Sequence, residues 1–211
     1  MPKPDHTQQG LTVVNRFTVQ HDDDRLEQEL IRTSDFLRRQ PDFEFIVRVR
    51  LVRQQNVFVQ LGYWRTHAAF VNAIRQRPFV AQVERLSPLV LETQADQAVS
   101  VARVIAPRTC SVPGEAFGVL TEYILDGDRA GFEATAHEQA LSYLDFPGFG
   151  GSDLLRSTLR PHRYLGISWW YDGDDFASAT RDGYPVRPGH ALAVRVEQTR
   201  RIAYEAAIPP R

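Results

Sequence analysis

Residues 57–70 read VFVQLGYWRTHAAF, and residues 163–176 read RYLGISWWYDGDDF. The two stretches align without a gap at a spacing of 106 residues, so that Trp64 falls on Trp170. Each begins with a run rich in aromatic and branched residues, which is typical of a β-strand. Each continues through a threonine or an aspartate that can cap a following helix. The chain therefore contains one strand–helix unit twice, which indicates an internal repeat.

The same spacing continues toward the N-terminus of each stretch. The tripeptide Pro-Asp-Phe at residues 41–43 returns as Pro-Gly-Phe at residues 147–149. The run at residues 13–19 falls on residues 119–125 with no gap. Several matches in one register indicate a tandem duplication of a unit of about 100 residues.

The apolar pattern predicts the order β-α-β-β-α-β in each copy. In the first copy we expect strands at residues 11–20, 43–51, 57–64 and 98–105, a helix from the acidic residues 22–24 to before Pro41, a helix capped by Thr66, and a further helical turn within residues 78–87. In the second copy we expect strands at 117–125, 150–158, 162–170 and near 200–206, and helices at 129–145 and 173–181. In the second strand, Glu44, Arg48 and Arg50 alternate with apolar residues, which is the period of a half-buried strand.

This element order is that of the ferredoxin-like unit, whose antiparallel sheet carries helices on one face and leaves the other face uncovered. A second copy can cover that face. The sequence therefore predicts an α+β protein in which two ferredoxin-like (βαββαβ) units, residues 11–106 and 117–207, pack sheet to sheet as an α+β barrel. Residues 107–116, rich in proline and glycine, are predicted to be a linker, and residues 1–10 a disordered tail. One chain would form a pseudo-dimer, and a homodimer of the whole chain stays open.

Composition excludes several classes of partner and cofactor. The 211 residues carry 25 Lys and Arg against 26 Asp and Glu, a net charge of −1, which argues against a nucleic-acid partner. The single cysteine, Cys110, excludes an internal disulfide framework and a Cys-rich metal site. There is no apolar run of the length needed to cross a membrane and no signal-peptide core, so we expect a cytoplasmic protein without a membrane partner.

Residues 14–19 (VNRFTV), the step at 41–43 and residues 62–70 (GYWRTHAAF) together resemble the antibiotic biosynthesis monooxygenase family of dimeric α+β barrels. The second copy resembles the same family through residues 147–149 and 168–176 (SWWYDGDDF). The resemblance covers nearly the whole chain, twice over. It implies the barrel fold predicted above, and it implies oxygenase chemistry, although one scaffold of this kind hosts different reactions.

One branch of the family makes quinones from aromatic polyketides without metal or organic cofactor. That branch has an asparagine four residues before the tryptophan and a tyrosine six residues after it. Here Trp64 is kept, and those positions hold Gln60 and Phe70. A histidine of that branch on the second strand falls near Arg50. The resemblance therefore implies an enzyme with no cofactor and no metal.

A second branch degrades haem, and its asparagine on the first strand matches Asn15. Its axial histidine would fall at about Val83, and no histidine lies nearby in the sequence. Because haem iron needs an axial ligand, we do not expect haem binding.

Hydrogen-bond donors on a shared strand face define the candidate site. Gln60 and Trp64 lie four apart on one strand, and Asn15 and Phe17 two apart on another, so each pair points to one side of the sheet. We expect Asn15, Gln60 and Trp64 to be catalytic. We expect the substrate to be bound by Phe17, Arg50, Phe58, Phe70, His162, Tyr164 and Trp170.

Structural roles compete with several of these assignments. Trp64 and Trp170 are also what a core at a strand–helix junction would contain, and Asn15 could bind a neighbouring loop. His162 opens a strand after a proline, where an exposed side chain is the ordinary case. In the second copy Thr121 stands in the place of Asn15 and Gly166 in that of Gln60, so the first copy is the favoured site of catalysis.

The function predicted is oxidation of an aromatic polyketide or polycyclic phenol by molecular oxygen, of the anthrone-to-quinone type, without a cofactor. Such a substrate, once deprotonated, can itself donate an electron to oxygen. The protein then supplies a dry pocket and donors for the developing oxyanion. Two alternatives are a polyketide cyclase on the same fold and a non-catalytic ligand-binding barrel.

Overall fold

The computed structural model describes residues 10–20, 24–106, 117–181 and 191–201, the last of these as backbone only. Residues 10–106 are called the N-terminal half below, and residues 117–201 the C-terminal half. The predicted linker at residues 107–116, and the predicted tail apart from Gly10, lie outside the described residues. The division of the chain into two units at these positions therefore stays a prediction.

Both halves contain the predicted series of elements. The N-terminal half consists of β1 (Leu11–Val19), α1 (Asp24–Arg38), β2 (Phe43–Leu51), β3 (Val57–Trp64), α2 (His67–Ile74), α3 (Arg77–Leu86) and β4 (Val90–Ile105). The C-terminal half consists of β5 (Phe117–Leu125), α4 (Arg129–Ser142), β6 (Phe149–Ser157), β7 (Arg163–Trp170), α5 (Gly173–Ala179) and β8 (Ala191–Arg201). The predicted cap Thr66 accepts a hydrogen bond from the backbone N–H of Ala69, and Asp172 caps α5 in the same way.

Three element predictions need correction. The fourth strand begins at Val90, not at residue 98, because the polar run 90–97 pairs along β1 although most of its side chains are exposed. The last strand begins at Ala191, earlier than the predicted range near 200–206, and is described to Arg201, while residues 202–206 lie outside the described residues. The helical turn expected within residues 78–87 is a ten-residue helix, α3, which packs on α1.

The eight strands form one closed antiparallel barrel in the order β1-β3-β2-β8-β5-β7-β6-β4. Within this order each half supplies one ferredoxin-like sheet, β4-β1-β3-β2 and β8-β5-β7-β6, which confirms the predicted α+β barrel and the pairing of two sheets within one chain. The structure adds that the sheet edges are hydrogen-bonded: β2 pairs with β8, and β4 pairs with β6. Within the described residues every strand therefore has a hydrogen-bonded neighbour on each side.

Both faces of each sheet are covered. The barrel interior holds a core shared by the two halves, which includes Val59, Leu61, Leu120, Leu155 and Ile167. The outer face of the barrel packs against the helices in four apolar clusters, and the two clusters around α4 also take in Ala102 and Val104 of β4 and Ala106 just after it. Successive residues of β3 therefore alternate between the barrel interior and the helix layer. No helix in the described ranges is long and apolar enough to cross a membrane.

Separating the halves should expose both the shared core and the two joined edges. We expect residues 1–110, expressed alone, to be insoluble or to self-associate, because the inner sheet face and the edges of β2 and β4 would lose their partners. Sedimentation of the purified fragment measures this. A monomeric, soluble fragment would contradict the pairing of the two halves as a condition of stability.

Glu29 of α1 lies between two arginines and gives the fold a defined pH dependence. Its carboxylate binds Arg32 one turn later and accepts from Nε of Arg85 on α3 at 2.9 Å. Burial raises the pKa of Glu29, but the two guanidinium groups together outweigh burial and place it below its ordinary value. Because its pKa is lower in the folded state, ionised Glu29 contributes to the free energy of unfolding at pH values above its unfolded-state pKa of about 4.3. This contribution is lost as the pH falls through the folded-state pKa.

We expect Glu29→Gln to lower the free energy of unfolding at pH 7 by about 1 kcal/mol, since both arginines are partly exposed. The difference from the unsubstituted protein should close as the pH falls below about 4. Urea denaturation at pH 7 and at pH 3.5 measures both quantities. The exposed Glu27→Gln is the control. A difference that is equal at the two pH values would show that the charge of Glu29 contributes nothing.

Candidate active site

Asn15, Gln60 and Trp64 lie on one sheet face: the sequence predicted this for Gln60 and Trp64, and the β1–β3 pairing adds Asn15. Asn15 of β1 pairs directly with Gln60 of β3 in the antiparallel ladder. Trp64 packs with residues of α1 and α2, which places this face in the helix layer and not in the barrel interior. A side chain added at Gly62 would meet the indole nitrogen of Trp64 at 3.7 Å, so the indole lies back over Gly62 toward Gln60.

Arg48 of β2 orients the Gln60 amide, and it was not among the predicted site residues. Its Nε and Nη2 donate to Oε1 of Gln60 at 3.2 and 2.6 Å, and Nη2 also lies 3.5 Å from Oγ of Ser34 on α1. Arginine can only donate, so the amide oxygen must face it and the amide NH₂ must face away. We call Asn15, Gln60, Trp64, Arg48 and Ser34 the amide site.

The burial of Arg48 corrects the reading of β2 as a strand with one solvated face. Its relative exposure is 0%. The apolar set Val47, Val49 and Leu51 faces the barrel interior, while Arg48 faces the helix layer. The alternation in the sequence therefore distinguishes a face in the barrel interior from a face under the helices, and not a buried face from a solvated one.

The indole N–H groups of the two equivalent tryptophans differ in whether they have a hydrogen-bond acceptor. Nε1 of Trp170 donates to Oγ of Ser168 at 3.0 Å, and Trp170 is fully buried. Ser168 stands where the N-terminal half has Gly62, which offers no side-chain acceptor. Within the described residues Nε1 of Trp64 has no hydrogen-bond acceptor, although the residue as a whole is only 2% exposed. The Trp64 N–H is therefore the donor that stays available for a ligand.

The C-terminal half lacks the polar set. Thr121, Gly166, Leu154 and Ala140 occupy the places of Asn15, Gln60, Arg48 and Ser34, and the strand pairing keeps the same register. A Cβ atom at Gly166 would lie 3.1 Å from Cε2 of Tyr123, so this ring occupies the space that the Gln60 side chain takes in the other half. A cavity of about 60 Å³ remains beside it, which is large enough for about two water molecules and too small for a polycyclic ligand.

Four of the predicted substrate-binding residues lie in the helix layer of the N-terminal half. Phe17 stacks on Phe58 with ring centroids 5.5 Å apart, and the guanidinium of Arg50 lies 4.9 Å above the Phe58 ring. Phe70 meets Trp64 edge-on at 5.8 Å. These contacts supply an aromatic wall on the face that carries Gln60.

The other three predicted residues lie in the C-terminal half, and the structure does not bring them to the amide site. His162 is exposed in the turn before β7. Tyr164 donates to Glu133 at 2.8 Å, and burial together with this carboxylate raises the pKa of Tyr164 to about 12. Trp170 packs against Tyr143, Phe149 and Phe176.

A larger cavity, of about 550 Å³, lies at one end of the barrel between the two halves. It has apolar lining from Val14, Ala98, Leu155 and Leu165 and charged lining that includes Arg160, whose guanidinium is paired with Asp96 at 2.8 Å. None of Asn15, Gln60 and Trp64 lines either of these two cavities. Among the described residues no group of three or more His, Cys, Asp or Glu side chains is placed to hold a metal ion.

No protein-family model matches the chain. A deoxynogalonate monooxygenase from Streptomyces nogalater is 37% identical over 82 residues, which is 37% of this chain and 67% of that protein. Among solved structures, a proposed monooxygenase from Lactobacillus acidophilus NCFM has a TM-score of 0.69 at 9% identity, over 92% of this chain and 94% of that one. An anthrone oxidase-like protein has a TM-score of 0.63 at 12% identity over 92% of each chain.

These solved structures show the fold, an α+β barrel of two ferredoxin-like sheets. The 37% identity over two thirds of a monooxygenase shows the family as well. The chain belongs to the antibiotic biosynthesis monooxygenase family, and it is an enzyme of the oxygenase class.

Proposed function

We propose that the protein oxidises an aromatic polyketide or polycyclic phenol with molecular oxygen, without a cofactor, and that the amide site of the N-terminal half carries the reaction. The observation that supports this most is the Gln60 amide, whose NH₂ group is turned away from Arg48 beside Asn15 and the Trp64 indole. The resemblance to the quinone-forming branch supplies the substrate class, and the 37% identical monooxygenase supports the reaction class.

The reaction balances without an external reductant. A CH₂ group between two aromatic rings loses two hydrogen atoms and gains one oxygen atom, while the second oxygen atom of O₂ leaves as water. Loss of the first proton gives a delocalised anion with its negative charge on oxygen, and this anion can pass an electron to O₂. Donors aimed at that oxygen stabilise the anion and the transition state that follows it.

Each group of the amide site has a role in this scheme. Gln60 and Asn15 donate amide hydrogens to the developing oxyanion, and Trp64 donates its indole N–H. Phe70, half-buried beside Trp64, provides the aromatic surface on which a ring of the substrate packs, while Phe17 and Phe58 lie in the core beneath this face. Arg50, above Phe58, lies where it can hold an acidic substituent of the substrate.

The barrel-end cavity supports a second candidate function, binding of a ligand without oxidation. Its volume of about 550 Å³ is in the usual range for small-molecule sites.

A cyclase would use the amide site to stabilise an enolate during ring closure, with no consumption of oxygen.

Oxygen uptake separates the three functions. Purified protein treated with a chelator should consume one O₂ per quinone formed from an anthrone or a hydroxylated anthrone. Ring closure of a linear precursor in the absence of oxygen would identify a cyclase. Tight binding of the same aromatic compounds, with neither reaction, would identify a binding protein and overturn the proposal.

A further inference from the structure

We propose that Arg48 is a positioning residue, which holds the Gln60 amide in the one orientation that presents hydrogen-bond donors to the substrate. This inference rests on the proposed function for the role of Gln60, but the orientation itself can be measured separately. Arg48 and Gln60 are directly opposed in the β2–β3 ladder, which gives them a fixed separation.

The contacts permit one amide orientation. Two nitrogen atoms of Arg48 converge on the same oxygen of Gln60, at 3.2 and 2.6 Å. A flipped amide would set its NH₂ group against the guanidinium, donor against donor, and both hydrogen bonds would be lost. Ser34 of α1 lies at 3.5 Å from Nη2 and ties the guanidinium to the helix layer.

The C-terminal half shows that the fold does not require this polar pair. At the equivalent register Leu154 pairs with Gly166, and the same barrel strands form around them. Taking a guanidinium out of water is unfavourable unless its hydrogen bonds repay the loss of hydration. The orientation of the Gln60 amide therefore explains the buried Arg48 better than the stability of the barrel does.

Gln60→Glu is the sharpest single substitution. A carboxylate still accepts both hydrogen bonds from Arg48, so the fold should be as stable as before, but the NH₂ donors are gone. We expect turnover to fall by about 10²-fold or more with an unchanged melting temperature. Normal turnover by Gln60→Glu would overturn the proposal, because donors from Gln60 would then be unnecessary.

Substitution of Arg48 tests whether it acts through Gln60. We expect Arg48→Met to lower kcat by about tenfold or more with a smaller change in KM, and Arg48→Lys to lie between Arg48→Met and the unsubstituted protein. Combined with Gln60→Ala, Arg48→Met should cause no further loss of kcat, since the amide it orients is absent. Losses that multiply would overturn the proposal. Leu154→Met, at the equivalent position of the other half, is the control and should leave kcat unchanged. If Arg48→Met does not fold, Arg48→Lys and Ser34→Ala take its place, each measured alone and in combination with Gln60→Ala.

A spectroscopic readout is independent of activity. The two side-chain NH₂ protons of Gln60, assigned in NMR spectra by their absence in Gln60→Ala, are inequivalent in any amide because of the partial double bond of C–N, so the readout is their proximity to neighbouring groups. Cross-peaks from the Gln60 NH₂ to protons of Asn15 and Trp64 should be present in the unsubstituted protein and should weaken in Arg48→Lys as the amide also adopts the flipped orientation. Unchanged cross-peaks in that variant would overturn the positioning role. Weakened cross-peaks in a protein without oxygenase activity would retain that role and reject the proposed function alone.

Discussion

Gln60→Ala should slow oxidation by about 10²-fold or more, because it removes a preorganised donor from the place where negative charge develops. The loss should appear in kcat, with a smaller change in KM, since the donor contributes mainly in the transition state. Asn15→Ala should show a similar loss, because Asn15 faces Gln60 across the β1–β3 ladder. Initial rates of oxygen uptake at saturating substrate measure the effect.

A surface amide provides the matched control. Gln76 is exposed in the turn after α2 and bonds to Gln40, remote from any proposed role in the reaction. Gln76→Ala should therefore leave the rate unchanged. Equal rates for Gln60→Ala, Asn15→Ala and the control would reject the amides as catalytic groups.

The two equivalent tryptophans should respond in opposite ways to the same substitution. Trp170→Phe deletes the hydrogen bond to Ser168 and leaves that buried hydroxyl without its donor inside a tightly packed cluster. A stability loss of about 1–3 kcal/mol follows, which corresponds to a fall in Tm of roughly 2–12 °C for a chain of this size. The rate per folded molecule should not change.

Trp64→Phe deletes no hydrogen bond within the described residues, so its Tm should fall less. Its rate should fall by about tenfold or more, because the substrate loses the indole donor. Calorimetry and oxygen uptake on the two variants measure both properties. If Trp170→Phe were inactive and Trp64→Phe normal, the active site would lie in the C-terminal half.

The fold could be predicted from sequence because each strand and helix of the unit is indicated by two sequence segments, one in each copy of the repeat. β3 and β7 each end in a tryptophan at the common spacing, and their boundaries were predicted to within one residue. The early part of β4 could not be found, since residues 90–97 carry neither alternation nor a run of apolar residues. That segment is a strand because β1 needs a hydrogen-bonding partner, which is a property of the barrel and not of the local sequence.

The site was predicted in part for a related reason. The shared face of Gln60 and Trp64, and that of Asn15 and Phe17, follow from the two-residue period of strands. The two pairs come together because β1 pairs with β3 and places Asn15 opposite Gln60. Arg48 was missed because alternation alone cannot distinguish a solvated face from one covered by helices. Only the packing of α1 on β2 shows that this arginine is buried and that it determines the orientation of Gln60.

Isotope labelling tests together the proposed oxidation by molecular oxygen and the role of Gln60 in it. Chelator-treated protein would oxidise an anthrone under ¹⁸O₂, and mass spectrometry would follow both the label and the rate. We expect one ¹⁸O atom in each quinone, formed at least about 10²-fold faster by the unsubstituted chain than by Gln60→Ala. An unlabelled product, or equal rates of labelling by the two proteins, would contradict this expectation.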